Sequence, residues 1–145
     1  MLAAVLLRAA AVAGQMPPAL TGTWTLDVAR SSPGAEPSRY KRGTRRIESS
    51  ESGVTIIDDL VQIRGGILHL EWTGKFDGLD YPVQGVEVVL THAYRRLDDH
   101  TVALVQKIDG VVAATARLAI SPDGRTITIT TSNARGNATA IYEKP

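Results

Sequence analysis

Apolar and polar residues alternate with a period of two along most of the chain beyond residue 21. In residues 22–29, Trp24, Leu26 and Val28 fall on one side and Thr23, Thr25 and Asp27 on the other. That is the signature of a strand with one face buried and one face wet. The pattern returns over 67–76, where Leu68, Leu70, Trp72 and Phe76 oppose His69, Glu71, Thr73 and Lys75. Over 86–97 one face carries Val86, Val88, Leu90, His92, Tyr94 and Arg96, and over 100–108 it carries Val102, Leu104, Gln106 and Ile108. Further strands are expected over 39–47, 54–63, 111–120, 125–132 and 138–143. No segment after residue 20 has helical periodicity.

Turn residues punctuate these runs. Residues 30–38 combine two prolines, a glycine and three serines and predict a loop across an open end. Gly65-Gly66 and Asp109-Gly110 are tight-hairpin signals, and Ser121-Pro122-Asp123-Gly124 matches a type I turn. Asp77 to Pro82 reads as a break between strands. Short antiparallel strands joined by hairpins point to a sandwich or a barrel. The lack of long crossovers favours an all-β, antiparallel up-and-down barrel of eight or nine strands. Trp24, following a glycine, is the expected plug at one end.

Composition bounds the rest. The 145 residues fit one domain, and 16 basic against 15 acidic residues leave no overall charge to attract nucleic acid or an anionic surface. Cysteine is absent, which removes disulfides, thiol nucleophiles and thiolate metal sites. No run reaches the ~20 apolar residues of a membrane-spanning helix. Residues 1–13 are apolar, rich in small side chains and end in Ala11-Val12-Ala13, the pattern of a signal peptide. The expected organisation is therefore a leader over 1–13, an extended lead-in over 14–21 and a barrel over 22–144, in a secreted or periplasmic protein.

Three segments carry a resemblance. Gly22-Thr23-Trp24-Thr25-Leu26-Asp27 with the Pro/Gly loop behind it is similar to the opening of small secreted bacterial lipocalin-like proteins. Lys75-Phe76-Asp77-Gly78-Leu79-Asp80-Tyr81-Pro82-Val83-Gln84-Gly85 and Ser121-Pro122-Asp123-Gly124-Arg125-Thr126 resemble later segments of the same proteins. The resemblance implies a calycin-type, lipocalin-like barrel. Lipocalins carry small apolar ligands in the cup, which implies the same class of partner here.

Residues that can carry chemistry are few. Trp24, Trp72, Phe76, Leu90, His92 and Tyr94 are the candidate ligand-binding residues of the interior. Trp24, Trp72 and Phe76 also read simply as core, and Trp24 as the barrel floor. His92 and Tyr94 share the face of Val88 and Leu90 and can donate hydrogen bonds or move a proton. A histidine without a paired carboxylate is not, however, a catalytic constellation. His69, His92 and His100 match no metal-ligand spacing, so neither metal nor cofactor is expected. In the basic run from Arg39 to Arg46, cations occupy both faces. It is read as a solvated strand that protects a sheet edge, with Asp58 and Asp59 across a hairpin from Arg45 and Arg42.

The reading that follows is a small-molecule binding protein of the cell envelope or exterior, taking a partly apolar or amphipathic ligand. Two alternatives stand beside it: an enzyme using His92 and Tyr94 for proton transfer, and a filled barrel acting as an interaction module.

Overall fold

The alternating faces become the two sides of one closed sheet in a computed structural model, which describes residues 15–32 and 39–145. Ten strands run as an antiparallel meander: β1 (Gly22–Leu26), β2 (Tyr40–Ser50), β3 (Gly53–Gln62), β4 (Ile67–Gly74), β5 (Tyr81–Gln84), β6 (Leu90–Arg96), β7 (Thr101–Ile108), β8 (Val111–Ile120), β9 (Thr126–Asn133) and β10 (Gly136–Glu143). The barrel closes because β1 pairs with β10 on one side and β2 on the other. The expected leader at 1–13 and part of the 30–38 loop lie outside the described residues.

The strand count of eight or nine is corrected to ten. The extra strand is β5, which occupies the end of the segment read as a turn. It escapes notice because it has four residues, one of them Pro82, and meets each neighbour at only two positions. The strand expected from residue 86 begins only at Leu90. Gly85 holds the chain in a turn at φ +105, where a Cβ would lie 2.0 Å from the His69 carbonyl oxygen.

The β2–β3 hairpin also differs from expectation. Ser50 pairs with Gly53, so Arg45 faces Asp58, but Arg42 faces Val61 and Asp59 faces Thr44. Nor is β2 an edge, since a closed barrel has none. Turn chemistry elsewhere reads true. Asp109 (φ 51) and Gly110 (φ 78) form the two-residue turn between β7 and β8, and the Gly124 amide donates to the Ser121 carbonyl at 2.9 Å.

One end of the barrel is plugged. The lead-in, expected to be extended throughout, makes a 3-10 turn at Pro18–Leu20 that buries Leu20 completely beneath the barrel. Trp24 is equally buried, and its indole Nε1 donates to the Leu20 carbonyl at 2.9 Å. The Lys144 ammonium sits 4.7 Å from the Trp24 ring centroid and donates to the Ala19 carbonyl. The β2–β3, β4–β5, β6–β7 and β8–β9 turns lie at this end, and the remaining connections form the opposite, open end.

Trp24→Ala removes the largest side chain of the plug and is expected to lower the unfolding free energy by about 3–5 kcal/mol. Urea denaturation followed by far-UV circular dichroism measures this. A loss within the error of the measurement would show that the plug stands apart from the cooperative core.

Candidate functional site

The inward face of the barrel is divided along its length. Towards the plugged end it is filled by rings. Trp72 contacts Tyr94, Phe76 and Tyr81 edge-on at centroid separations of 4.8, 6.0 and 5.7 Å, and Phe76 stacks on Tyr94 at 5.0 Å. The Trp72 indole donates to the His92 carbonyl at 3.0 Å, tying β4 to β6 across β5. Trp24, Trp72, Phe76 and Tyr94 thus share one packed mass, with Trp24 and Phe76 deepest. Leu90 and His92 lie nearer the open end and are only half-buried.

Above the rings sits a polar cluster. Arg45 on β2 and Asp58 on β3 point inward and form a two-pronged pair, Nε to Oδ1 at 2.7 Å and Nη2 to Oδ2 at 3.1 Å. Each side chain is 13% exposed. The guanidinium also lies over Tyr142 of β10, 5.2 Å from the ring centroid. Burial on its own favours the neutral form of Arg45. The Asp58 carboxylate and the nearby Tyr142 and Tyr94 phenols outweigh it and raise the pKa, so Arg45 stays charged. Burial pushes the Tyr94 phenol up to about 12 and raises that of Tyr142.

His92 completes the cluster. Its Nε2 lies 3.2 Å from the Gln106 side-chain amide nitrogen on β7, and its ring is edge-on to Tyr94 at 5.9 Å. With that amide as donor, Nε2 accepts and Nδ1 carries the proton. Burial first, and then the Arg45 charge, lower the His92 pKa to about 4, against a weaker opposing pull from Asp58. The ring is therefore neutral at physiological pH.

The structure thus adds Arg45, Asp58, Gln106 and Tyr142 to the residues named from sequence. The signal was present in part: strand alternation puts Arg45 on the side of Ile47, and the hairpin sets Asp58 opposite. Among the remaining histidines, His69 is exposed and bonds Asp59 at 2.5 Å, outside the barrel. No group of three or more His, Cys, Asp or Glu among the described residues is arranged to hold a metal ion.

A separate pocket of about 500 Å³ lies at the plugged end, between the lead-in and the β2–β3 turn. Met16, Ser50, Glu51, Lys75 and Phe76 contribute to its wall, and none of the interior polar cluster does. Gln15, the first described residue, also borders it.

Two outcomes follow from the cluster. Asp58→Asn strands the Arg45 charge and is expected to cost about 3–5 kcal/mol, most of it recovered when Arg45→Met and Asp58→Leu are combined; chemical denaturation of the two variants beside the parent protein checks this. His92 has a lower pKa folded than unfolded, so unfolding takes up a proton between pH 6.5 and 4. Stability is then full above pH 6.5 and falls by about 1–3 kcal/mol towards pH 4. His92→Gln removes this part of the acid loss in a melting-temperature series across that range.

No protein-family model matches the chain, and no curated protein matches it in sequence. Among solved structures, the fluorescent protein UnaG is similar in fold. The wild-type form superposes with a TM-score of 0.60 at 13% identity, and a point mutant with 0.61 at 14%. Each comparison covers 90% of this chain and nearly all of UnaG. The likeness is one of fold and supports a calycin-type barrel.

Proposed function

We propose that the protein binds a small, partly apolar molecule in the open half of its barrel. One observation carries this reading. Leu26, Leu70, Leu90, His92 and Gln106 all point inward yet keep partial exposure, whereas Trp24, Trp72, Phe76 and Tyr94 are buried. In a closed barrel plugged at one end, exposure of inward residues means a cup reached through the other end. A barrel filled throughout, the interaction-module alternative, would bury them.

The polar groups at the cup's base shape the choice of ligand. Asp58 neutralises Arg45, and His92 is uncharged, so the base carries dipoles rather than net charge. A free carboxylate entering there loses its water without an opposing charge to replace it. A hydroxyl, carbonyl or amide instead meets the His92–Gln106 pair at little desolvation cost. The favoured ligand is amphipathic with an uncharged polar end.

The enzyme alternative has less support. Proton transfer works best from groups whose pKa lies near the operating pH. His92 and Tyr94 are displaced in opposite directions, to about 4 and about 12. A location in the cell envelope or outside the cell belongs to the same proposal and rests on the apolar, small-residue pattern of residues 1–13.

Titration of the protein with 1-decanol and with decanoate, followed by tryptophan fluorescence and calorimetry, tests the reading. Decanol is expected to bind at least about tenfold more tightly than decanoate at neutral pH, the order of a buried, uncompensated polar group. His92→Phe with Gln106→Leu is expected to narrow that preference. Failure of both probes, and of the neutral dye Nile red, would overturn the open cup. Tighter binding of decanoate would overturn the uncharged ligand.

A further inference from the structure

We propose that Arg45, Tyr94 and Tyr142 form a hydrogen-bond donor site, at the base of the cup, for a carbonyl oxygen of the bound molecule. The site lies within the open cup proposed above and rests on that reading. Tyr94 is 1% exposed and Tyr142 5%, yet neither phenol hydroxyl has a hydrogen-bond partner among the described residues. Tyr94 packs on the rings of Trp72, Phe76 and His92, and Tyr142 lies beneath the Arg45 guanidinium. Arg45 is itself only partly satisfied. Its two bonds to Asp58 use Nε and Nη2, which leaves both N–H groups of Nη1 and one of Nη2 without an acceptor.

Buried donors without partners are destabilising, and native interiors hold few of them. Among the described residues, the one fully enclosed side-chain polar atom that lacks a partner is Thr91 Oγ1. The phenol oxygens and Nη1 therefore border open space, and since all three side chains point inward that space is the inside of the barrel. Strands β2, β6 and β10 bring the groups to one place. Arg45 lies 5.2 Å from the Tyr142 ring centroid, its charge acts on both phenols, and the phenols act on one another. Burial outweighs the Arg45 charge and raises both phenols, Tyr94 to about 12, so each keeps its proton at neutral pH and remains a donor.

This donor set selects an uncharged acceptor. Asp58 already accepts two bonds from Arg45 and cancels its charge, so an anion finds no net attraction. A carbonyl oxygen offers two lone pairs and brings no hydrogen of its own, whereas a hydroxyl adds a hydrogen to a place crowded with donors. Water can serve the same donors in the empty cup, and a carbonyl that displaces it keeps those bonds. The class of ligand is an apolar chain bearing a ketone or ester carbonyl.

Titration of the full chain with 2-undecanone and with 2-undecanol, which share one carbon skeleton, tests the site. The ketone is expected to bind about fivefold more tightly, the order of one neutral hydrogen bond. The infrared carbonyl stretch of bound 2-undecanone is expected below its frequency in hexane, and to move back towards it in Tyr94→Phe and in Tyr142→Phe. Each variant is expected to weaken ketone binding about fivefold. Each is also expected to leave the melting temperature of the ligand-free protein unchanged or higher, because the hydroxyl removed has no partner. Three results overturn the proposal: binding of the alcohol as tight as that of the ketone, a carbonyl stretch and affinity unchanged in both variants, or a fall in ligand-free melting temperature in both. Titration with 1-decanol tells the two readings apart. If decanol binds and the ketone shows no advantage, the donor site fails and the cup stands; if neither decanol, ketone nor secondary alcohol binds, the cup fails and the donor site with it.

Discussion

Everything in this molecule depends on β1 reaching β10. A meander of ten strands has two edges until its first and last strands meet, and each edge leaves a row of backbone groups unpaired. β1 is short, and only Thr25 and Leu26 stand in register with β10. The seam is lengthened by other means. The Asp27 amide donates to the Ile141 carbonyl at 2.8 Å, Ser32 and Thr139 exchange bonds at 2.7 Å, and the Ser31 hydroxyl accepts from the Ile141 amide. Trp24 and Leu20 then anchor the start of β1 under the plugged end. Closure also gives the sheet an inside, without which the alternation of faces would define no cup.

The interior is used unevenly. Its lower half is filled with aromatic rings in mutual contact, which supply buried area and rigidity. Its upper half has smaller side chains on β8, β9 and β10: Ala114, Ala116, Thr131, Ala138 and Ala140. The polar cluster stands where these regimes meet. A bound molecule would therefore rest on a rigid base that carries an ion pair and dipoles but no net charge.

Much of this was legible in the sequence, and the exceptions have physical causes. Asp109-Gly110 and Ser121–Gly124 could be read because their backbone geometry needs those residue types. Leu90, His92 and Tyr94 could be assigned to one face because period two is strict over β6. β5 could not be read, since Pro82 weighs against a strand and Gly85 against its continuation, and only pairing with β4 and β6 marks Tyr81–Gln84 as extended. Arg45 was hidden by its neighbours. Among Arg42, Arg45 and Arg46 only Arg45 turns inward, and charge alone gives no reason to prefer it. Its hairpin partner Asp58 could be read from the sequence, but not that the pair faces the interior, because a basic run with cations on both faces reads as a solvated strand.

The Arg45–Asp58 pair has a consequence beyond the chemistry of the cup. Neighbouring strands can in principle pair in several alignments, and a shift of one residue exchanges the inner and outer faces of a strand. A slip of β3 against β2 that brings Ile57 opposite Arg45 would carry Asp58 outside and leave a guanidinium buried without its carboxylate, whereas the opposite slip would offer Asp59 in its place. A slip of two would set Ile56 or Leu60 against it, again without a carboxylate. The pair contributes little net stability after desolvation, yet it makes the misaligned hairpins that offer Arg45 no carboxylate far less stable than the correct one. It acts as an alignment key for β2 and β3, and through them for where the remaining strands begin to wind the barrel.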